Sequence, residues 1–447
     1  MSVKRTILKG TIILTLTGFA TRFMGFFYRI FLSQTFGEEG VGLYQLIFPV
    51  YALCFSLTSA GIEVALARCV AKRMSTGKKR EARGLLYTSL LLSVTASCII
   101  TLLIQKYAGI IAADFLKEER CAGFLIILSY AFPFASIHSC IVGYYFGLKE
   151  SGIPAFSQLI EQSVRILSVY LLYLFGLKNG VRFGISIAVA GLIAGEIASS
   201  MFCLKMVTKK MPLNRSISKK ISELPDYIKY TKELIFLACP LTASRVLLNL
   251  LQSIEAVSIP LKLQEYGMTT AHALSSYGVL TGMALPCVLF PSAITNSVST
   301  MLLPTVTEAQ TLGRQRQMTM IIKKSLCYCI LLGTACCIFL LLSGQWIGTY
   351  LFGSRYAGNY IVTLAWMCPF LYTNTTLISI INGTGKTALS FFINSFSLTI
   401  RILSIFVCIP AFGIKGYLWG LLASQVVSFL LCILFLTRYI HMSGAEK

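Results

Sequence analysis

Twelve apolar stretches, each long enough to cross a bilayer, dominate this chain. They fall at about 11–33, 43–69, 85–105, 123–147, 155–176 and 184–207, and again at about 233–262, 276–303, 325–345, 359–382, 388–409 and 416–438. A helix needs roughly 20 apolar residues to span the hydrocarbon core. In lipid every backbone polar group must be satisfied internally, so runs of this length imply helices rather than open sheets. The expected fold is therefore an all-α, polytopic membrane protein of about 12 transmembrane helices. Composition agrees: 56% of the 447 residues are hydrophobic and 13% are charged. A soluble chain could not solvate so apolar a surface.

The stretches form two sets of six, and the sets echo one another. Arg165-Ile166-Leu167-Ser168 recurs as Arg401-Ile402-Leu403-Ser404, 236 positions later, and Pro133-Phe134 recurs as Pro369-Phe370 at the same offset. A nearby offset of 223 places Thr21-Arg22 on Ser244-Arg245. Internal repeats of apolar helices are the architecture of secondary transporters. The expected domains are an N-terminal six-helix lobe over 1–207, a basic cytoplasmic linker over 208–232 and a C-terminal six-helix lobe over 233–447.

Charge orients the helices. The termini and even-numbered loops hold 25 of the 39 lysines and arginines, the odd-numbered loops hold 8, and six lie in or at the ends of helices. Basic residues collect on the cytoplasmic side, so both termini are expected there. The same rule accounts for the net charge of +22 without invoking nucleic acid. Lys209, Lys210, Lys219 and Lys220 suit the linker to anionic lipid headgroups. The first apolar stretch follows Lys4, Arg5 and Lys9, lacks a small-x-small cleavage site and contains Arg22, so it is expected to be retained as a helix rather than removed as a signal peptide.

Arginines within the apolar stretches carry the functional expectation, because an arginine at the bilayer centre costs about 2.5–3.5 kcal/mol on insertion scales. Arg22 and Arg29 are two turns apart on one face of helix 1, beside a stripe of Gly18 and Gly25 expected to allow close helix approach. On helix 7, Arg245, Asn249 and Gln252 form a polar stripe. These five residues are the candidate substrate contacts, in a cavity suited to an anion, since guanidinium forks match phosphate oxygens. Each arginine could instead satisfy carbonyls or a carboxylate within its own bundle. Arg165 fits that structural role, with Glu161 one turn earlier, and Arg401 inherits it through the repeat. Glu63 and Glu255 are candidates for counter-ions or for proton or ion coupling.

Other chemistry finds no support. His138, His272 and His441 lie far apart, the fifteen cysteines form no C-x-x-C pair, and no metal set, cofactor site or catalytic group is expected. Gly383-Thr384-Gly385-Lys386-Thr387 resembles the end of a phosphate loop, but its first glycine position is Ile380, so it reads as a turn.

The segments TRFMGFFYRIFL (Thr21 to Leu32), GVGLYQLIFPVY (Gly40 to Tyr51) and TSAGIEVALARCVAK (Thr58 to Lys72) resemble the stage V sporulation protein B and polysaccharide-transporter branch of the multidrug/oligosaccharidyl-lipid/polysaccharide exporter superfamily, to which the lipid II flippases are related. The resemblance spans nearly the whole chain. It implies a V-shaped two-lobed bundle that alternates between inward- and outward-open states in a bacterial cytoplasmic membrane, with a polyprenyl-diphosphate-linked saccharide as cargo, most readily a peptidoglycan precursor, and a link to sporulation. It places Arg22, Arg29 and Arg245 where the family has cavity arginines. Two departures stand out: Glu63 replaces a proline after Gly-Ile, and the carboxy terminus is expected to lack the extra helix pair of these flippases, which leaves the cargo open. Two rival readings are a cation-coupled small-molecule or drug exporter of the same fold and a non-transporting scaffold that recruits cell-wall synthesis enzymes.

Overall fold

The computed structural model describes residues 3–181, 183–210, 224–311 and 315–445, and they are helical nearly throughout, with no strand among them. Seventeen α-helices follow in order: α1 Val3–Leu46, α2 Phe48–Phe55, α3 Gly61–Ser75, α4 Lys79–Ile110, α5 Cys121–Ser129, α6 Ala131–Gly147, α7 Gly152–Lys178, α8 Ser186–Lys210, α9 Leu224–Glu265, α10 Thr270–Gly278, α11 Leu285–Leu289, α12 Ser292–Thr311, α13 Gln315–Trp346, α14 Arg355–Ala365, α15 Cys368–Gly383, α16 Thr387–Phe412 and α17 Ile414–Ala445. Turns of π-helix at Ser56–Ala60, Ile111–Phe115, Val279–Ala284 and Ile347–Leu351 join or extend them.

Among the described residues nine helical stretches are long and apolar enough to cross a membrane, or eleven when two bent pairs each count as one span. The pairs are α5 with α6, bent by 45°, and α14 with α15, bent by 57°. One of the nine, Ile12–Ser75, is 64 residues long, about three times a minimal span. Gly37 breaks it, with φ 70° and ψ −179°, a conformation that a side chain would oppose. Dividing that stretch in two gives the twelve spans expected. Leu91, Leu102, Phe236, Leu342 and Leu434 stand exposed on these helices, as a lipid solvent permits.

The chain folds into two compact units, and they do not divide at the linker. Unit 1 comprises residues 1–28 and 46–253; unit 2 comprises 29–45 and 254–447. Thus α1 and α9 each contribute to both, and the expected boundary at 208–232 is corrected to Ser253/Ile254 with an exchange of residues 29–45. The packing explains this. The first half of α9 supplies Tyr230, Leu234 and Ala238 to the unit 1 core, beside Leu66, Leu85, Tyr144 and Tyr145. Arg73 on α3 ties that half further through Glu233 at 2.6 Å, while reaching Glu81 on α4 at 2.7 Å. Meanwhile residues 29–45 bond to unit 2: Ser33 Oγ donates to the Phe352 carbonyl at 2.6 Å and Gln34 Nε2 to that of Leu351 at 2.8 Å. The unit 2 core gathers Leu377, Ile380, Ile381, Ile393, Cys432 and Leu436. Residues 211–223 of the linker, with Lys219 and Lys220, lie outside the described residues.

Close approach falls to other glycines than expected. A Cβ on Gly18 would meet nothing within 4 Å, and one on Gly25 only Gln162 Nε2 at 3.4 Å. The tight contacts are Gly61 against Thr242 and Gly143 against the Glu63 backbone in unit 1, and Gly42 against Leu274 in unit 2. The sequence reading placed a close-packed face on helix 1 from spacing alone, whereas the neighbours decide which glycine is needed. Gly383–Thr387 is a turn, with α15 ending at Gly383 and Gly385 at φ 79°. In the connection before α5, Arg120 forks onto Glu118, with Nε and NH2 donating to its two oxygens at 2.7 and 3.1 Å. That hydrogen bonding holds the Glu118 carboxyl below the usual carboxylate range.

Candidate functional site

The charged residues singled out in the sequence fall into three groups. In unit 1, Arg22 on α1 and Arg245 and Gln252 on α9 are exposed, though each sits within a helix otherwise built of apolar residues. Glu63 opens α3 and is half-buried; its carboxylate accepts from Ser139 Oγ at 2.8 Å, and Arg245 and His138 both lie within its electrostatic reach. The close contact of Gly143 with the Glu63 backbone lets α6 bring Ser139 there. Asn249, one turn beyond Arg245, turns to α2 instead. Its amide donates to the Ala52 carbonyl at 3.2 Å and to Ser56 Oγ at 2.5 Å, where α2 passes into the π turn.

In unit 2, Arg29 donates from NH1 to the Thr281 carbonyl at 3.1 Å, again within a π turn. Arg22 and Arg29 therefore share a helix face but belong to different compact units. Glu255 on α9 is buried. Arg401 on α16 reaches it at 2.5 Å, and the Tyr417 hydroxyl on α17 donates to the same carboxylate oxygen. This triad joins three helices of unit 2. The repeat puts Ser397 where Glu161 stands in the first half, so Arg401 cannot pair along its own helix and takes Glu255 from α9.

The third group was legible in the sequence only in part. Glu161 and Arg165 pair one turn apart on α7, and the fold adds His138 from α6, Glu196 from α8 and Tyr51 from α2. Tyr51 Oη donates to Glu196 Oε1 at 2.9 Å. His138 Nδ1 lies 3.6 Å from Glu196 Oε2 and 3.9 Å from Glu161 Oε2. A glutamate in the middle of the apolar run Ser186–Val207 was the signal that could have found Glu196.

These features can be set beside known proteins. The model of the family described as polysaccharide biosynthesis protein matches residues 7–310. The stage V sporulation protein B of Bacillus subtilis (strain 168) is 28% identical over 431 residues, covering 96% of this chain and 83% of that protein. Among solved structures, the lipid II flippase MurJ in an inward closed conformation superimposes with a TM-score of 0.73 at 14% identity, covering 95% of this chain and 87% of that one. An inward-facing multidrug resistance transporter of the MATE family gives a TM-score of 0.71 at 16% identity, covering 98% of each chain. Polytopic helical fold, internal repeat and buried charge agree with the family match: the chain belongs to the polysaccharide biosynthesis protein family, and its fold is that of the MATE transporter and lipid II flippase structures.

Proposed function

We propose that this transporter flips a polyprenyl-diphosphate-linked saccharide, of the peptidoglycan-precursor class, across the bacterial cytoplasmic membrane. The observation that carries this reading is the exposure of Arg22 and Arg245 within membrane-spanning helices of one unit. An exposed arginine at such depth needs water or an anionic partner, and a diphosphate supplies oxygens in the geometry that a guanidinium fork matches. Gln252 adds a neutral donor on the same helix. Arg29, two turns from Arg22 along α1, is the third candidate contact by its charge. Asn249 contributes by holding α9 against α2. The names of the stage V sporulation protein B and the lipid II flippase support the cargo class and a sporulation setting.

Release requires that the arginines hold the ligand in only one state of the cycle, because a ligand bound equally in two states shifts nothing. Glu63, beside Arg245 and held by one serine hydroxyl, is the carboxylate suited to compete with the diphosphate and to couple its release to a proton or ion. Glu255, committed to Arg401 and Tyr417, serves structure.

The test is flipping rate in proteoliposomes loaded with a fluorescent polyprenyl-diphosphate saccharide. Loss of one partner of a desolvated charge-assisted contact costs about 2–5 kcal/mol. Arg22→Ala, Arg29→Ala and Arg245→Ala are therefore expected to lower flipping at least tenfold at equal amounts of folded protein, with Arg29→Lys keeping a small fraction. Normal transport by all three alanine variants refutes the anion reading, and no flipping by the unaltered chain favours a scaffold role.

Orientation is tested separately in a cysteine-free background. With both termini cytoplasmic, a cysteine at exposed Tyr356 is labelled from outside intact cells and one at exposed Lys79 is not; the reverse pattern inverts the topology.

A further inference from the structure

We propose that unit 1 contains a binding site for one divalent transition-metal ion, held by His138 Nδ1, Glu161 Oε2 and Glu196 Oε2. The donor atoms of these three residues lie within 4.8 Å of one another. The hydrogen bonds around them say what belongs in the middle. Ser157 Oγ gives its only proton to the Pro154 carbonyl at 2.8 Å, so toward His138 Nε2, 3.0 Å away, it can only accept. His138 therefore donates from Nε2, which leaves Nδ1 as the ring atom that faces the two carboxylates.

Those carboxylates offer only lone pairs in return. Glu196 is 6% exposed, and its Oε2 has no hydrogen-bond partner. At 3.6 and 3.9 Å from Nδ1, the two oxygens are beyond hydrogen-bond reach. Two carboxylates and an imidazole nitrogen converging on one point call for a cation among them, either a proton on Nδ1 or a metal ion held by all three. An ion at the centre of this triangle lies at most about 2.4 Å from each atom, close to the ~2.0–2.2 Å bonds that imidazole and carboxylate make to zinc.

The far side of every ligand is also held. Ser157 fixes the imidazole, Tyr51 bonds Glu196 Oε1 at 2.9 Å and Arg165 bonds Glu161 Oε1. Outer partners of this kind orient metal ligands and set the tautomer of a ligating histidine. Two carboxylates face one guanidinium here, and Glu63 adds negative charge from α3. An imidazole donor favours zinc, copper, iron or nickel over magnesium or calcium. The inference concerns α6, α7 and α8 alone and does not depend on the cargo.

The test uses the full chain, purified in detergent and stripped with chelator. Titration with Zn2+, followed by dialysis and elemental analysis, is expected to leave one ion per chain beyond that retained by His138→Ala. Titration with Co2+ is expected to give visible d–d bands without the intense near-ultraviolet charge transfer of a thiolate, which separates this site from the free cysteines. His138→Ala and Glu196→Gln should weaken Co2+ binding at least a hundredfold. Ser157→Ala and Tyr51→Phe leave the three ligands in place and should weaken it about 10–100-fold, so the test survives if a ligand variant fails to fold. Equal Co2+ affinity in all folded variants overturns the proposal. So does uptake of a proton alone at His138 with no metal retained, or displacement of Zn2+ by millimolar Na+.

Discussion

Arg401→Ala is expected to lower the yield and thermal stability of the protein more than any other single change to its charged groups. The substitution leaves the Glu255 carboxylate, only 4% exposed, with the Tyr417 hydroxyl as its remaining hydrogen-bond donor in the triad. Removing one member of a buried ion pair costs about 3–5 kcal/mol, because the surviving charge stays desolvated. The reverse change, Glu255→Leu, should cost less, since the Arg401 side chain is 28% exposed and its head group can shift toward a wetter region. Replacing both, as Glu255→Leu with Arg401→Met, should recover much of the loss, because apolar residues of similar volume often match a buried pair. The measurement is the thermal unfolding midpoint in detergent for the two single variants and the double variant. If Arg401→Ala and the double variant are equally stable, the pair is not coupled and the triad is incidental.

Gly278→Leu is expected to have an effect of the same order, through backbone rather than charge. Even a Cβ at that position would stand 2.3 Å from the Glu38 carbonyl oxygen and 2.5 Å from the Gly42 nitrogen, and one on Gly42 would stand 2.2 Å from the Leu274 carbonyl oxygen. These are backbone atoms, so no rotamer relieves the clash and α10 must move off residues 38–42. Overpacking commonly costs about 1–3 kcal/mol and sometimes more; the expectation here is at or above the upper end. Gly18→Ala, on the same long helix, is the control. Its Cβ meets nothing, and exchanging a mid-helix glycine for alanine is favourable by roughly 0.5–1 kcal/mol. Thermal midpoints of Gly278→Leu and Gly18→Ala should therefore move in opposite directions. A Gly278→Leu protein as stable as the parent would mean that residues 29–45 are not docked on α10 as described.

How the residues can be read follows the range over which each signal acts. Glu161 and Arg165 are one helical turn apart, so their pairing was visible from spacing. His138 and Glu196 lie 58 positions apart in different helices, and no pattern along the chain links them. Asn249 and Arg29 were read as members of polar faces; the faces exist, but their bonds run to neighbouring helices, at the Ala52 carbonyl and Ser56 hydroxyl for Asn249 and the Thr281 carbonyl for Arg29. Glycine followed the same rule, with Gly18 open and Gly42 and Gly278 in contact.

The sequence by itself determined that the chain is helical and membrane-spanning, that its spans number about twelve and that its halves repeat. Those properties depend on the transfer of local apolar segments into lipid and on backbone hydrogen bonds closed within each helix. Only the tertiary structure decided which carboxylate meets Arg401, that His138, Glu161 and Glu196 converge, and that α1 and α9 each serve both units. Such pairings are set by helix packing, where the partner of a buried charge is whichever group the neighbouring helix brings within reach, and that choice leaves no periodic trace in the chain.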